Sequence, residues 1–515
     1  MLSSQIKNLL EGLDQSQEIS ALDEERTPPI SINKLTGKIG AFYEKMRYLV
    51  DIKEEHTIRR SAIGRMIKRK LTIEQTDNIG LSLLEELVRG GYLPNNKISE
   101  GTANAIQEII NKYILLGKES GVRNGKMVNL AATEIEQFLY PQFVNDLITE
   151  CFYQTISEHI RYIGKVDPDE LDRQIYIGCR RSLLEDDHES LFYALILRYI
   201  PELPKISRDK VRKIAPHLWE TIQAIKKDME NPLGWRISSR LKNHAIYFSI
   251  IKDIVEKYGV MSEAILKDPS KIEEHAKKLL NEKYKTQHHL VSKSGVRAVI
   301  YIFVTKIALA IALELPYEKI FLQSIDYFAI GVNVIFHPLL LFLIAKTVPS
   351  PTPENTNRII AGAKSAVRNE DVDPLYIKPP ISNIAAKFVL TSLYVVLFLT
   401  SFGLILWLLK SINFNIVSIA LFLFFLTLVS YFGFRLRLKA KRWKLSVESD
   451  NILSLLWNFL AIPIVRTGRW LTRRFSSINI FVFVMDFIIE IPFKLILGTF
   501  DSFVSFLKEK IEDER

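Results

Sequence analysis

The sequence predicts an all-α membrane protein: a helical cytoplasmic domain, then a four-helix transmembrane region, then amphipathic C-terminal helices. Three observations predict it. Long apolar runs are confined to the part of the chain after residue 297. The charges flanking them alternate between rich and poor in cations. The part before them carries helix starts and breaks but no period-two runs bounded by hairpin turns. With 515 residues, the chain is long enough for roughly three units. With 48% hydrophobic and 24% charged residues it is neither collagen-like nor wholly disordered. Its two cysteines, Cys151 and Cys179, form no CxxC pair and are expected as free thiols in a reducing compartment. The N-terminus lacks the apolar core of a cleaved signal peptide, so the front part is expected to stay in the cytoplasm.

Residues 1–30 are polar, end in Thr27-Pro28-Pro29, and are expected as a loosely held arm. Residues 31–290 then read as the helical cytoplasmic domain. Asp167-Pro168-Asp169-Glu170 supplies an N-cap, a proline at the first helical position and acids in the first turn. Ser207 and Asp268-Pro269-Ser270 repeat that chemistry more weakly, and Gly90-Gly91, Gly117 to Gly125 and Pro201 to Pro204 mark breaks. Tyr43 to Leu71 reads as one helix with an apolar seam and a basic stretch, Arg59, Arg60, Arg65, Lys68, Arg69 and Lys70. These six are candidate contacts for anionic lipid, set against a solvated face stitched by ion pairs. No aromatics interleave with them, so nucleic-acid binding is poorly supported.

A bilayer core needs roughly 20 apolar residues in a helix. Residues 298–345 hold the first two spans, Ala298 to Leu315 and Tyr327 to Ala345, and residues 384–434 hold Phe388 to Leu409 and Ile416 to Phe434. Between the pairs, residues 346–383 form a loop with a short helix starting at Thr352-Pro353-Glu354. Lys283, Lys285, Lys293 and Arg297 precede the first span; Glu314, Glu318 and Asp326 fill the first link; Lys346, Arg358, Lys364, Arg368 and Lys378 follow the second span. The positive-inside rule then places both termini and the middle loop in the cytoplasm, at the cytoplasmic (inner) membrane.

Residues 435–515 form a basic, amphipathic tail. Arg435, Arg437, Lys439, Lys441, Arg442 and Lys444 open it, and Arg466, Arg469, Arg473 and Arg474 surround Trp470. Ile452 to Val465 is short for a span, and the later apolar stretch carries Asp486, Glu490 and Lys494 on one stripe. Helices lying in the interface are therefore expected, with a fifth and sixth crossing as the alternative. The ten cations from Arg435 to Lys444 and from Arg466 to Arg474 are candidate anionic-lipid contacts, and Trp407, Trp443, Trp457 and Trp470 suit head-group depth.

Ionisable groups inside a span each need a reason. Lys306 sits midway along the first, and Asn333 and His337, four apart, share a face of the second beside Pro338. These three form a candidate intramembrane polar site, set against a plain helix–helix contact. Metal and nucleotide motifs fail on spacing: no HExxH occurs, and the phosphate-loop pattern ending at Gly125-Lys126 needs glycine where Ser120 stands. The acidic run Glu185 to Glu189 lacks the spacing of a calcium loop and reads as a solvated helix start. No catalytic, cofactor-binding or metal-ligating residue is assigned, and no cofactor is expected. The leading expectation is a non-catalytic scaffold or adaptor whose cytoplasmic helices bind an unidentified protein partner while basic segments hold anionic head groups. The alternatives are a small-solute or ion transporter or channel using Lys306, Asn333 and His337, and a lipid-acting membrane enzyme. Tyr43-Glu44-Lys45-Met46-Arg47 continuing to Arg69, and Gly468-Arg469-Trp470 through Phe487-Ile488-Ile489-Glu490, resemble segments of uncharacterised bacterial multi-pass membrane proteins. The resemblance covers about a tenth of the chain. It implies a bacterial inner membrane, and it transfers no activity and no site residue.

Overall fold

The computed structural model describes residues 2–22, 55–73, 78–95, 99–347, 351–370, 374–379, 384–445 and 452–477. They are helical almost throughout, and the chain divides into two compact units. The first contains Met1–Lys267 and Ser365–Lys378, the second Asp268–Lys364 and Pro379–Val484.

The first unit begins with α1 (Ser4–Leu22), where the sequence reading expected a loose arm. Ile6, Leu9, Leu10 and Leu13 recur at helical spacing and are buried, a seam that the polar composition of residues 1–30 conceals. Next come α2 (Glu55–Ile73), α3 (Ile79–Arg89), α4 (Glu100–Ser120), α5 (Asn124–Leu139) and α6 (Phe143–His159), on which α1 packs. Residues 43–54 of the expected Tyr43-to-Leu71 helix lie outside the described residues. After strand β1 (Ile160–Tyr162) follow α7 (Pro168–Leu183), α8 (His188–Tyr199), α9 (Arg208–Glu230), α10 (Pro232–Tyr258) and the short α11 (Ser262–Lys267). The Asp167 side chain caps α7 by accepting from the Glu170 N–H at 3.2 Å, as its sequence signature requires. One core runs through α2, α3, α4, α5, α8 and α9, from Ala62 to Met229. Beside it, α7 lies so close to α10 that a Cβ on Gly178 would meet the Ile237 side chain at 2.5 Å. Cys151 and Cys179 are buried free thiols.

The acidic run at 185–189 is built into this unit rather than left to solvent. Asp186 pairs with Arg180, and Glu189 lies 3.4 Å from Lys126. Asp187 caps α8 through the Ser190 N–H at 2.9 Å while pairing with Arg60 and accepting from the Thr57 hydroxyl at 3.0 Å. Burial alone would push the Asp187 carboxyl up; the Arg60 bond and charge, helped by the Ser190 and Thr57 donors, override it and hold the group at about 2. A depressed carboxyl stabilises the fold above its unfolded value and loses that contribution as pH falls through the folded one. Denaturant midpoints should therefore drop between about pH 4 and pH 2, and Asp187→Ala should flatten that part of the profile. An unchanged profile would show that the pair adds nothing.

The second unit starts with α12 (Pro269–Leu309), capped by Asp268 through the Ser270 N–H at 2.9 Å. The helix does not stop at Leu315. It continues through a π turn at Ala310–Glu314, an α turn at Leu315–Tyr317 and a second π turn at Glu318–Leu322. The continuous rod has 54 residues, about 81 Å at 1.5 Å per residue. Next come α13 (Tyr327–Lys346) and α14 (Pro353–Arg368), within which the unit boundary falls. Back in the first unit, strand β2 (Leu375–Ile377) pairs in parallel with β1, Ile160 opposite Leu375, a small ladder with no counterpart in the sequence pattern. The second unit then resumes with α15 (Ile384–Ser411), α16 (Ile416–Ala440) and α17 (Ile452–Ser477).

Among the described residues, four helices are long and apolar enough to cross a membrane: the 54-residue rod, α13, α15 and α16. Small residues set their spacing. A Cβ on Gly295 would touch Ala345 at 3.1 Å, and one on Gly433 would meet Ile344 at 2.9 Å, so α13 is gripped from two sides. The tail helix α17 packs along both α16 and α15. It crosses α16 where a Cβ on Gly468 would lie 2.0 Å from the Thr427 carbonyl oxygen. The later stretch with Asp486, Glu490 and Lys494 lies outside the described residues.

Candidate functional site

The structure brings Lys306, Asn333 and His337 into one buried cluster at the crossing of α12, α13 and α16. Lys306 is 2% exposed, and Asn333 and His337 are fully buried. The Lys306 ammonium donates to Asn333 Oδ1 at 2.5 Å and stands 4.5 Å from the centre of the Phe425 ring. The Asn333 amide nitrogen donates to Glu314 Oε1 and, at 3.3 Å, to the Ser418 carbonyl. Lysine and carboxylate are thus joined through one amide rather than in direct contact.

His337 fills the next turn of α13. Its Nδ1 lies 3.1 Å from the Asn333 carbonyl and its Nε2 3.0 Å from the Phe422 carbonyl. A neutral imidazole carries one N–H and satisfies one of these oxygens; the imidazolium form donates to both. Phe422 packs edge-on against the ring at 4.6 Å. Beyond His337, one turn further along α13, Leu341 joins Val429 and Leu436 in an apolar layer with Val299 and Ile302 at its edge.

In the opposite direction the polar groups continue. Glu318, 1% exposed, accepts from the Asn415 amide at 2.6 Å and from the Asp326 N–H at 2.8 Å. Asp326 in turn caps α13 through the Phe328 and Ala329 N–H groups, both at 3.0 Å. Asn415 caps α16 through the Ser418 N–H at 2.9 Å. The two caps hold Glu318 at the end of the bundle where α16 begins. From Asp326 to His337 the polar groups descend α13 for eleven residues, about 16 Å, and stop at the apolar layer.

Sequence reasoning placed Glu314 in a link outside the membrane and so missed it as a partner. Eight residues separate it from Lys306, and the π turn ending at Glu314 brings it round to Asn333. The available signal was the apolar run of Ile320, Phe321 and Leu322, which continues the helix beyond the acids.

The basic stretch of α2 belongs to the first unit and is largely taken into its packing. Arg59 donates to Glu136 at 2.9 Å and covers the Tyr140 ring at 4.0 Å; Arg60 is buried against Asp187 and Ser190. Arg69 pairs with Glu86, and Lys70 donates to Ser82. Arg65 is half-buried, and Lys68 is exposed. In the second unit Arg435, Arg437, Lys439, Lys441, Arg442 and Lys444 are all exposed, as are Arg466, Arg469, Arg473 and Arg474. Trp443 is buried beneath Lys283 and Arg442, while Trp407 and Trp470 are exposed. No protein-family model matches this chain, and no curated protein and no solved structure matches it either.

Proposed function

We propose that the second unit lies in the cytoplasmic membrane and moves or relays a small cation. The observation that carries this reading is the convergence of Lys306, Asn333, Glu314 and His337 in a buried cluster between apolar helices. Placing an ionisable side chain mid-membrane costs roughly 2.5–3.5 kcal/mol on insertion scales, so a chain that places several there gains something other than stability. The polar ladder from Asp326 to His337 supplies a half-path, and the layer at Leu341 and Val429 separates it from the other end. On this reading the exposed cations of α16 and α17 face anionic head groups, and the charge asymmetry of the links keeps the first unit in the cytoplasm. The test is flux of protons or alkali cations into proteoliposomes. His337→Ala should abolish flux while leaving the protein monodisperse in detergent; flux unaltered by that change would end this reading.

A second reading keeps the first unit as the docking part of a scaffold or adaptor. Phe138 and Phe143 flank a turn and stay exposed, as does Trp219 on α9. Exposed aromatics of this kind are the usual anchors of a protein interface. Retention of one protein partner by the wild-type chain and not by a Phe138→Ser/Phe143→Ser variant would support it.

A further inference from the structure

We propose that Glu314 and Ser418 form a binding site for one sodium-sized alkali cation. Two buried oxygens of this cluster have no hydrogen-bond partner among the described residues: Glu314 Oε2 and Ser418 Oγ. Glu314 is 2% exposed and Ser418 fully buried. They are neighbours, because the Asn333 amide nitrogen donates both to Glu314 Oε1 and to the Ser418 carbonyl. A buried carboxylate oxygen left without a donor costs more than an ordinary lost hydrogen bond. The carboxylate oxygen only accepts and the Ser418 hydroxyl keeps lone pairs to offer, so one cation satisfies both at once.

Charge gives the valence. Glu314 and Glu318 are both buried carboxylates, and among the described residues Lys306 is the one cationic side chain that enters their network. Lys306 commits its short bond to Asn333, and Glu318 draws on two neutral donors, Asn415 and the Asp326 N–H. With both carboxylates ionised, the buried set is short of one positive charge. One monovalent ion closes the deficit, and a divalent ion overshoots it.

The role of this ion rests on the cation-handling reading above, but its binding is measured without flux. The experiment uses the full chain in nanodiscs, with radioactive sodium chloride as the probe and choline chloride holding ionic strength constant. Saturable binding of one sodium per chain is expected, with potassium a weaker competitor. Ser418→Ala should weaken affinity by ~10-fold or more, and Glu314→Gln should abolish binding. If Glu314→Gln fails to fold, the wild-type isotherm and Ser418→Ala decide the matter. No saturable sodium binding by the wild type overturns the site. So does binding that Ser418→Ala and a folded Glu314→Gln leave intact. A cluster that responds to pH and is indifferent to sodium also overturns it, with a proton in the ion's place. Sodium binding without flux removes the transport reading and keeps the site; flux without sodium binding does the reverse.

Discussion

Lys306→Met should lower the stability of the membrane unit by about 3 kcal/mol, the largest single-residue effect expected in this chain. Methionine fills the volume of the lysine stem but cannot donate, so Asn333 Oδ1 loses its short bond and Glu314 loses the cation on the far side of the amide. Neutral hydrogen bonds between membrane helices average only about 0.6 kcal/mol. The charge left unpaired makes this loss larger. Lys306→Met with Glu314→Gln should therefore recover part of it, since removing both partners of a buried pair costs less than removing one. Unfolding in mixed micelles measures all three variants. A single variant as stable as wild type would show that Lys306 does not hold the cluster together.

Gly468→Leu should detach α17 from α16. A Cβ at this position would lie 2.0 Å from the Thr427 carbonyl oxygen and 2.6 Å from its carbon, both backbone atoms of a packed helix. A flexible side chain could swing away; a helix backbone moves only as a unit. Overpacking ordinarily costs about 1–3 kcal/mol, and the cheapest relief here is separation of the two helices. Arg466, Arg469 and Arg473 already face outward, so limited trypsin digestion reports the separation directly. Cleavage there should speed up severalfold in Gly468→Leu and by less in Gly468→Ala, whose Cβ meets the same carbonyl but adds nothing beyond it. Equal rates in all three proteins would mean that this crossing does not position α17.

The spans were legible because they depend on composition and length. Lys306, Asn333 and His337 were legible as candidates because a charge in an apolar run and a four-residue spacing are both local signals. Glu314 was not, because Pro316 and the acids around it imitate the end of a helix that in fact runs on to Leu322. The cations of α2 show the opposite limit. Their clustering is plain in the sequence, but Glu86, Glu136 and Asp187 lie 17, 77 and 127 residues from the arginines they bind. Only the fold shows that those charges are already spent. The α1 helix was missed because four apolar residues were averaged into a polar segment, where the mean hides the spacing.

The two π turns of the long rod make the chain sensitive to length in a way that composition does not reveal. A π turn closes i to i+5 instead of i+4, so each one holds a surplus residue within a helix that otherwise continues. Deleting one residue at Ala310–Glu314 would let an ordinary α-helix form without breaking the rod. The surplus residue would be gone and the faces before and after it would keep their relation. The same deletion at Ile307–Leu309, in regular α-helix, would instead turn Lys306 and the face that carries it by about 100° away from Asn333, while Glu318 kept its caps. The π turn is thus where the rod takes up a one-residue change in length; elsewhere such a change acts as a rotation, so the helix has a phase to keep as well as a length.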